Sequence, residues 1–349
     1  MSSPTASSDL ASPPAAASVA PTSPAFRRLA IAAAVTSLVV IAVGGATRAT
    51  DSGLACPTWP GCFTGGDFLP PLSGEFVDGL GRTVTGVNIW LEHSHRLLAG
   101  ALGLQIAALL IWALVRYRRQ PGLLWPTVGA AVAVNIQALL GAFVVWNLVQ
   151  VELVTAHLGL GTATMALMIY LAVRARGPVR APADPVRARL WRTSLVVTGV
   201  LWLQILIGGH LTGIAGGLAF VSDPAMGLFS IGPITVEADA TNVAHRYLAL
   251  VVAALIMSVA ARLRRAGVRG APLTWARVAA VLVVVQILLG VANLWSNLSF
   301  LTVIPHLAVA SWMLAAMVLV PLSLSGSDGD GSSSDVDDTS TAETAVPAL

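Results

Sequence analysis

Apolar residues along this chain gather into eight long runs, roughly 28–48, 88–115, 124–147, 151–174, 191–213, 239–263, 274–295 and 302–323. Each approaches or exceeds the length of about 20 residues that crosses a bilayer as a helix. None alternates with the two-residue period of a barrel strand. In lipid the backbone must satisfy its own polar groups within the segment, so the runs predict helices. The fold class expected is therefore an all-α polytopic membrane protein with eight transmembrane helices. The flanks read differently. Residues 1–25 are mostly Ser, Pro and Ala with Asp9 as the only charge, and residues 324–349 hold six acids and no base. Both read as disordered tails. The first Arg is Arg27, which does not fit an Arg-rich transit peptide.

Composition agrees with the pattern. Of 349 residues, 56% are hydrophobic and 11% charged, with a mean hydropathy of +0.78, against about 25% charged in soluble domains. All 20 basic residues are Arg. They punctuate apolar runs instead of lining one groove, which excludes a nucleic-acid binder. Sixteen of them lie before the first span or around the connections 2–3, 4–5 and 6–7; only Arg48, Arg82, Arg96 and Arg246 lie on the other side. The positive-inside rule then expects both termini in the cytoplasm and segment 49–87 outside.

The two halves repeat. His95-Arg96 recurs as His245-Arg246 at an offset of 150; Gln137-Ala-Leu-Leu-Gly141 recurs as Gln286-Ile-Leu-Leu-Gly290, and His157 as His306, both at 149. A looser copy, Gln204-Ile-Leu-Ile-Gly208, sits in the fifth span. Four spans separate the copies, so the repeat is parallel. It predicts two four-helix bundles, residues 26–174 and 193–323, joined by an Arg-rich cytoplasmic linker at 175–192.

Spans two, four, six and eight run in the same direction, and His95 and His157 each fall about 10 Å below the outer end at 1.5 Å per residue. His245 and His306 do the same in the second half. Two level imidazoles on parallel helices are what axial ligation of a haem iron requires. Ala99, Gly100, Gly103, Gly159, Gly161 and Ala163 are the small residues expected to leave room for a flat group. The competing reading is that intramembrane histidines bond helices together or relay protons. A zinc site is disfavoured, because no Cys or Asp is expected at that depth. His93, two residues from His95, points to another helix face and is expected at the interface. His210 has no repeat partner.

The halves differ at Glu92, three residues before His95, where the second half has Asn242. A carboxylate there can move a proton or stabilise developing positive charge; it can also cap the helix or pair with Arg96. Arg96 and Arg246 either bind haem propionates or extend to the surface. Cys56 and Cys62, the only cysteines, flank Pro-Thr-Trp-Pro-Gly in the outer loop. Disulfides persist in such a location, and a structural bridge and a redox-active one both remain open.

The run from Gly44 to Cys62, with Glu92-His-Ser-His-Arg96, His157, His245-Arg246 and His306, resembles the haem A synthase family over about residues 28–323. The resemblance implies an enzyme that oxidises the C8 methyl of haem O to a formyl group, giving haem A for cytochrome oxidase. It implies two pseudo-symmetric bundles in a bacterial plasma membrane, with the haem sites toward the extracytoplasmic side. Haem b would lie between His245 and His306, and the haem O/haem A substrate between His95 and His157. Glu92 would be the catalytic glutamate, and Cys56–Cys62 a disulfide tied to activity. Haem O synthase and an electron donor are the partners implied, besides membrane lipid. The alternative is a di-haem b electron-transfer protein without substrate chemistry, which gives no reason for Glu92 in one half only. A transporter would show Gly/Pro breaks at mid-membrane, whereas the prolines here lie mostly near span ends.

Overall fold

A computed structural model describes residues 22–63, 69–71, 73–218 and 236–325. Eight long helices carry it: α1 (Pro24–Ala49), α2 (Gly86–Arg116), α3 (Pro121–Trp146), α4 (Val151–Arg174), α5 (Pro185–Gly213), α6 (Glu237–Arg265), α7 (Ala271–Trp295) and α8 (Phe300–Leu324). The shortest has 24 residues, about 36 Å at 1.5 Å per residue and enough for a hydrocarbon core of about 30 Å. All eight are long and apolar enough to cross a membrane.

Starts follow local signals that hydropathy alone overlooks. Ser23 accepts from the Phe26 N–H with Pro24 following it, and Asp184 accepts from the Arg187 N–H at 2.7 Å with Pro185 following. Both are N-caps with Pro at the first helical position. The first helix thus begins inside the segment expected to be a tail. The connection after α4 shrinks to 175–184, because Arg187, Arg189 and Arg192 lie in the opening turns of α5. Residues 1–21 and 326–349 of the expected tails lie outside the described residues.

In each half the helices form a ring of neighbours: α1–α2–α3–α4 closing on α1, and α5–α6–α7–α8 closing on α5. The rings meet through α1–α8, α4–α5 and α4–α8. Turn geometry repeats with them. Leu148 and Val149 between α3 and α4 have φ of 53° and 57°; Asn297 and Leu298 between α7 and α8 have 51° and 61°. The Val149 N–H reaches the Val144 carbonyl and the Leu298 N–H the Asn293 carbonyl, both at 2.8 Å. Left-handed backbone at a β-branched residue is uncommon, so the shared turn marks a repeated device.

Burial is layered. One apolar core, from Phe26, Ala30 and Ala33 of α1 to Met317, Val320 and Leu324 of α8, fills the end remote from the 50–85 loop. A smaller cluster of Ala55, Cys56, Cys62, Val84 and Ile89 seals the loop end. Between them, residues 38–46, 94–101, 131–141, 151–158, 205–210, 243–251, 284–292 and 300–310 contain no fully buried residue. Close-packed interiors do not ordinarily show such a layer. The loop also holds an unexpected antiparallel hairpin, β1 (Glu75–Val77) with β2 (Thr83–Thr85). Asp78 sits at its turn and accepts from the Leu80 and Arg82 N–H groups and from Arg82 Nε.

Candidate functional site

All four repeat histidines fall in the loosely packed layer, each resting on a glycine of the preceding helix. A Cβ placed on Gly44 of α1 would lie 2.7 Å from His95 Cε1, and one on Gly208 of α5 2.7 Å from His245 Cε1. On Gly141 and Gly290 it would lie 3.3 and 3.5 Å from Cε1 of His157 and His306. Of the glycines expected from sequence to make room, two do and two pack against side chains. Gly100 and Gly103 face open space, Gly159 packs on Leu206 and Trp202, and Gly161 on Gln137.

The Gln-x-x-x-Gly copies now have a physical meaning. Gln137 Nε2 donates to the His157 carbonyl and Gln204 Nε2 to the His245 carbonyl, both at 2.8 Å. The glycine one turn later admits the imidazole of the same histidine. Gln204 Nε2 also lies 3.0 Å from His245 Nδ1. In α1 the corresponding position is Val40, whose carbonyl stands 3.1 Å from His95 Nδ1. An Nδ1–H donated there leaves Nε2 as a free ligand atom, the usual arrangement behind a metal-bound imidazole.

The His95 and His157 ring centres stand 6.4 Å apart. Two imidazoles on opposite sides of one metal, each bonded at about 2 Å with the ring centre about 1.1 Å further on, put their centres about 6.3 Å apart. His245 and His306 lie in the same loosely packed layer of the second ring. The layer around both pairs contains buried polar atoms without protein partners, among them the Oε1 atoms of Gln137, Gln204 and Gln286. Room, spacing and donor set all fit an iron porphyrin with two axial histidines.

Glu92 closes the layer on the loop side. Its carboxylate is 4% exposed, accepts from the Cys56 N–H at 2.8 Å and pairs with Arg96 one turn on. Arg96 also donates to the Gly61 carbonyl at 2.8 Å, to Cys56 at 3.1 Å, to Pro60 at 3.3 Å and to Thr58. It therefore does not extend to the surface: its guanidinium clamps the loop closed by the Cys56–Cys62 disulfide. Asn242 occupies the matching place in the second half and donates to the Gly216 carbonyl at 2.7 Å. Both residues tie down an outer loop, but only the first brings a charge. Arg246 is half-buried beside His245.

His93 is buried beneath the loop. It is 4% exposed, not interfacial, and packs edge-on against Trp90 with ring centres 5.8 Å apart. The loop covers the face of α2 that a bare helix would turn outward. With Cys56 and Cys62 it forms the group of side chains close enough to share a metal among the described residues, but both sulfurs are spent in the disulfide. His210 Nε2 lies 2.9 Å from Glu237 Oε1.

Fold and site together define a polytopic membrane protein whose two helix rings each place two histidines in the loosely packed layer. Comparison with known proteins gives the family. Residues 27–318 match the COX15-CtaA family, described as cytochrome oxidase assembly protein, and the chain belongs to it. It is similar to the heme A synthase of Rhizorhabdus wittichii, 30% identical over 87% of this chain and 95% of that protein. It is also similar to the heme A synthases of Sphingopyxis alaskensis (26%, over 86% and 92%) and Shewanella oneidensis (27%, over 81% and 92%).

Proposed function

We propose that this chain is a membrane oxidoreductase that converts haem O to haem A by oxidising the C8 methyl group to a formyl. The first bundle, residues 26–174, takes haem O between His95 and His157. The second, 193–323, holds a resident haem b between His245 and His306, with Arg246 as a partner for its carboxylates. Both termini face the cytoplasm and the loop end faces outward, in line with the Arg distribution. The observation that carries the reading is the Glu92 carboxylate one turn from His95, in the half whose histidines are spaced for one iron.

The chemistry divides between porphyrin and protein. Bound iron porphyrin supplies redox capacity that no side chain has. The chain supplies orientation, through imidazoles seated on glycines, and exclusion of bulk water, through the loop cluster around Cys56 and Cys62. Glu92 supplies a negative charge where a methyl losing electrons becomes positive, and a base for the proton of incoming water. Two successive two-electron oxidations of that methyl, each adding one oxygen from water and passing two electrons and two protons to an acceptor outside the chain, give an alcohol and then a gem-diol, which loses water to the aldehyde. Arg96 holds the Glu92 carboxylate in place, and the disulfide holds the Cys56 N–H against it.

The test is expression in a bacterial host that makes haem O but no haem A, followed by pigment extraction. Haem A and its hydroxylated precursor, besides haem b, are expected. Haem b alone would favour a di-haem electron carrier and overturn the reading.

A further inference from the structure

Resting on that reading, we propose that Arg48 binds a carboxylate of the porphyrin held by His95 and His157, and so orients the substrate. Arg48 follows Gly44, the seat of the His95 imidazole, by four residues. It therefore lies on the same side of α1, about 6 Å nearer the loop end. Arg48 is half-buried: its Nε is shielded from solvent without a hydrogen-bond partner, and its Nη2 makes one long bond at the exposed edge, 3.4 Å, to the Thr212 carbonyl of α5. A guanidinium carries five donors, and leaving the buried Nε–H unmet costs free energy. In the first half, the other two arginines of the loop end are engaged. Arg82 pairs with Asp51 and Asp78, and Arg96 with Glu92 and four loop carbonyls. Among the described residues no ion pair involves Arg48.

A planar fork with free donors recognises a carboxylate in two-pronged fashion. Porphyrin carboxylates hang from one edge of the macrocycle, and the C8 methyl neighbours one of them on the ring perimeter. A carboxylate held at the loop end turns that edge, with its methyl, toward the end where Glu92 sits. Thr212 stands in α5 four residues after Gly208, as Arg48 stands four after Gly44, so the second half has no such cation at this position. The arrangement selects orientation in the half where orientation decides which methyl reacts.

The experiment compares purified wild type, Arg48→Gln and Arg48→Lys from the haem O-producing host. Arg48→Gln is expected to lower the ratio of haem O plus haem A to haem b about tenfold or more, the scale of a lost charge-assisted hydrogen bond, with haem b unchanged. Arg48→Lys keeps the charge without the fork and falls between. In parallel, iron protoporphyrin is titrated into each protein as the free acid and as its dimethyl ester. Wild type is expected to prefer the acid, and Arg48→Gln to bind both alike. An unchanged pigment ratio, or an acid preference that survives in Arg48→Gln, overturns the proposal. Loss of haem b with retention of haem O assigns the carboxylate to the second half and overturns it too. If Arg48→Gln does not accumulate, Arg48→Lys decides: an unaltered ratio and acid preference there overturn the proposal. Wild type lacking haem O and haem A would instead sink the proposed function and leave the acid–ester comparison to judge Arg48.

Discussion

The Glu92 carboxylate accepts a hydrogen bond from the Cys56 backbone N–H at 2.8 Å, which couples the buried acid of the site to the disulfide-closed loop. Replacing Cys56 and Cys62 by Ser reopens a small ring whose closure constrains the unfolded chain by about 2 kcal/mol. It also lets the N–H drift from Glu92. The double variant is expected to lose haem absorbance at a lower temperature and to accumulate less haem A. An unchanged melting temperature together with unchanged haem A would contradict this coupling.

Glu92→Gln keeps an acceptor for the Cys56 N–H but removes the negative charge and leaves the Arg96 guanidinium without its carboxylate. Conversion of haem O is expected to slow about a hundredfold or more, with haem b retained. Pigment chromatography checks this through the ratio of haem A to its hydroxylated precursor. An unaltered ratio removes Glu92 from the chemistry.

Three glycine-to-alanine variants rank themselves by the contact each Cβ would meet. Gly44→Ala and Gly208→Ala drive a methyl to 2.7 Å from an imidazole carbon, whereas Gly290→Ala meets it at 3.5 Å. Overpacking costs about 1–3 kcal/mol. Gly44→Ala is expected to deplete haem O and haem A, Gly208→Ala to deplete haem b, and Gly290→Ala to change little. Equal effects at all three positions would show that the histidines do not depend on these seats.

Asp78 gives a pH signature outside the membrane. Burial disfavours its ionised form, but the Arg82 and Leu80 N–H groups and the Arg82 guanidinium outweigh it and hold the carboxyl below its ordinary value. The folded protein thus favours the ionised form more than the unfolded chain does. Its contribution is complete above about pH 4 and disappears as pH falls through the lower folded value. Asp78→Asn is expected to make the loop more protease-sensitive at neutral pH, and the difference from wild type to vanish in strong acid. A difference independent of pH would rule out this charge as its source.

The eight spans, the offset of the halves and the four histidines were legible because lipid imposes length and apolarity on helices and makes every buried polar residue conspicuous. The seats of the histidines were not. Gly44, Gly141, Gly208 and Gly290 lie on helices preceding those that carry the histidines, and only the recurring Gln-x-x-x-Gly pointed to three of them. Helix starts at Pro24 and Pro185 escaped a reading by hydropathy, since capping residues are polar. His93 was misplaced because its burial depends on a loop folding back over α2, a contact distant in sequence. The engagement of Arg96 has the same origin, since its acceptors are backbone carbonyls that carry no residue signature.

The central claim is that each ring of helices grips one iron porphyrin between two imidazoles. It is tested most directly by the optical spectrum of purified protein with one pair replaced at a time. His245→Ala with His306→Ala should abolish the haem b bands and leave haem O or haem A bands; His95→Ala with His157→Ala should do the reverse. Spectra unaltered by either double replacement would contradict the account.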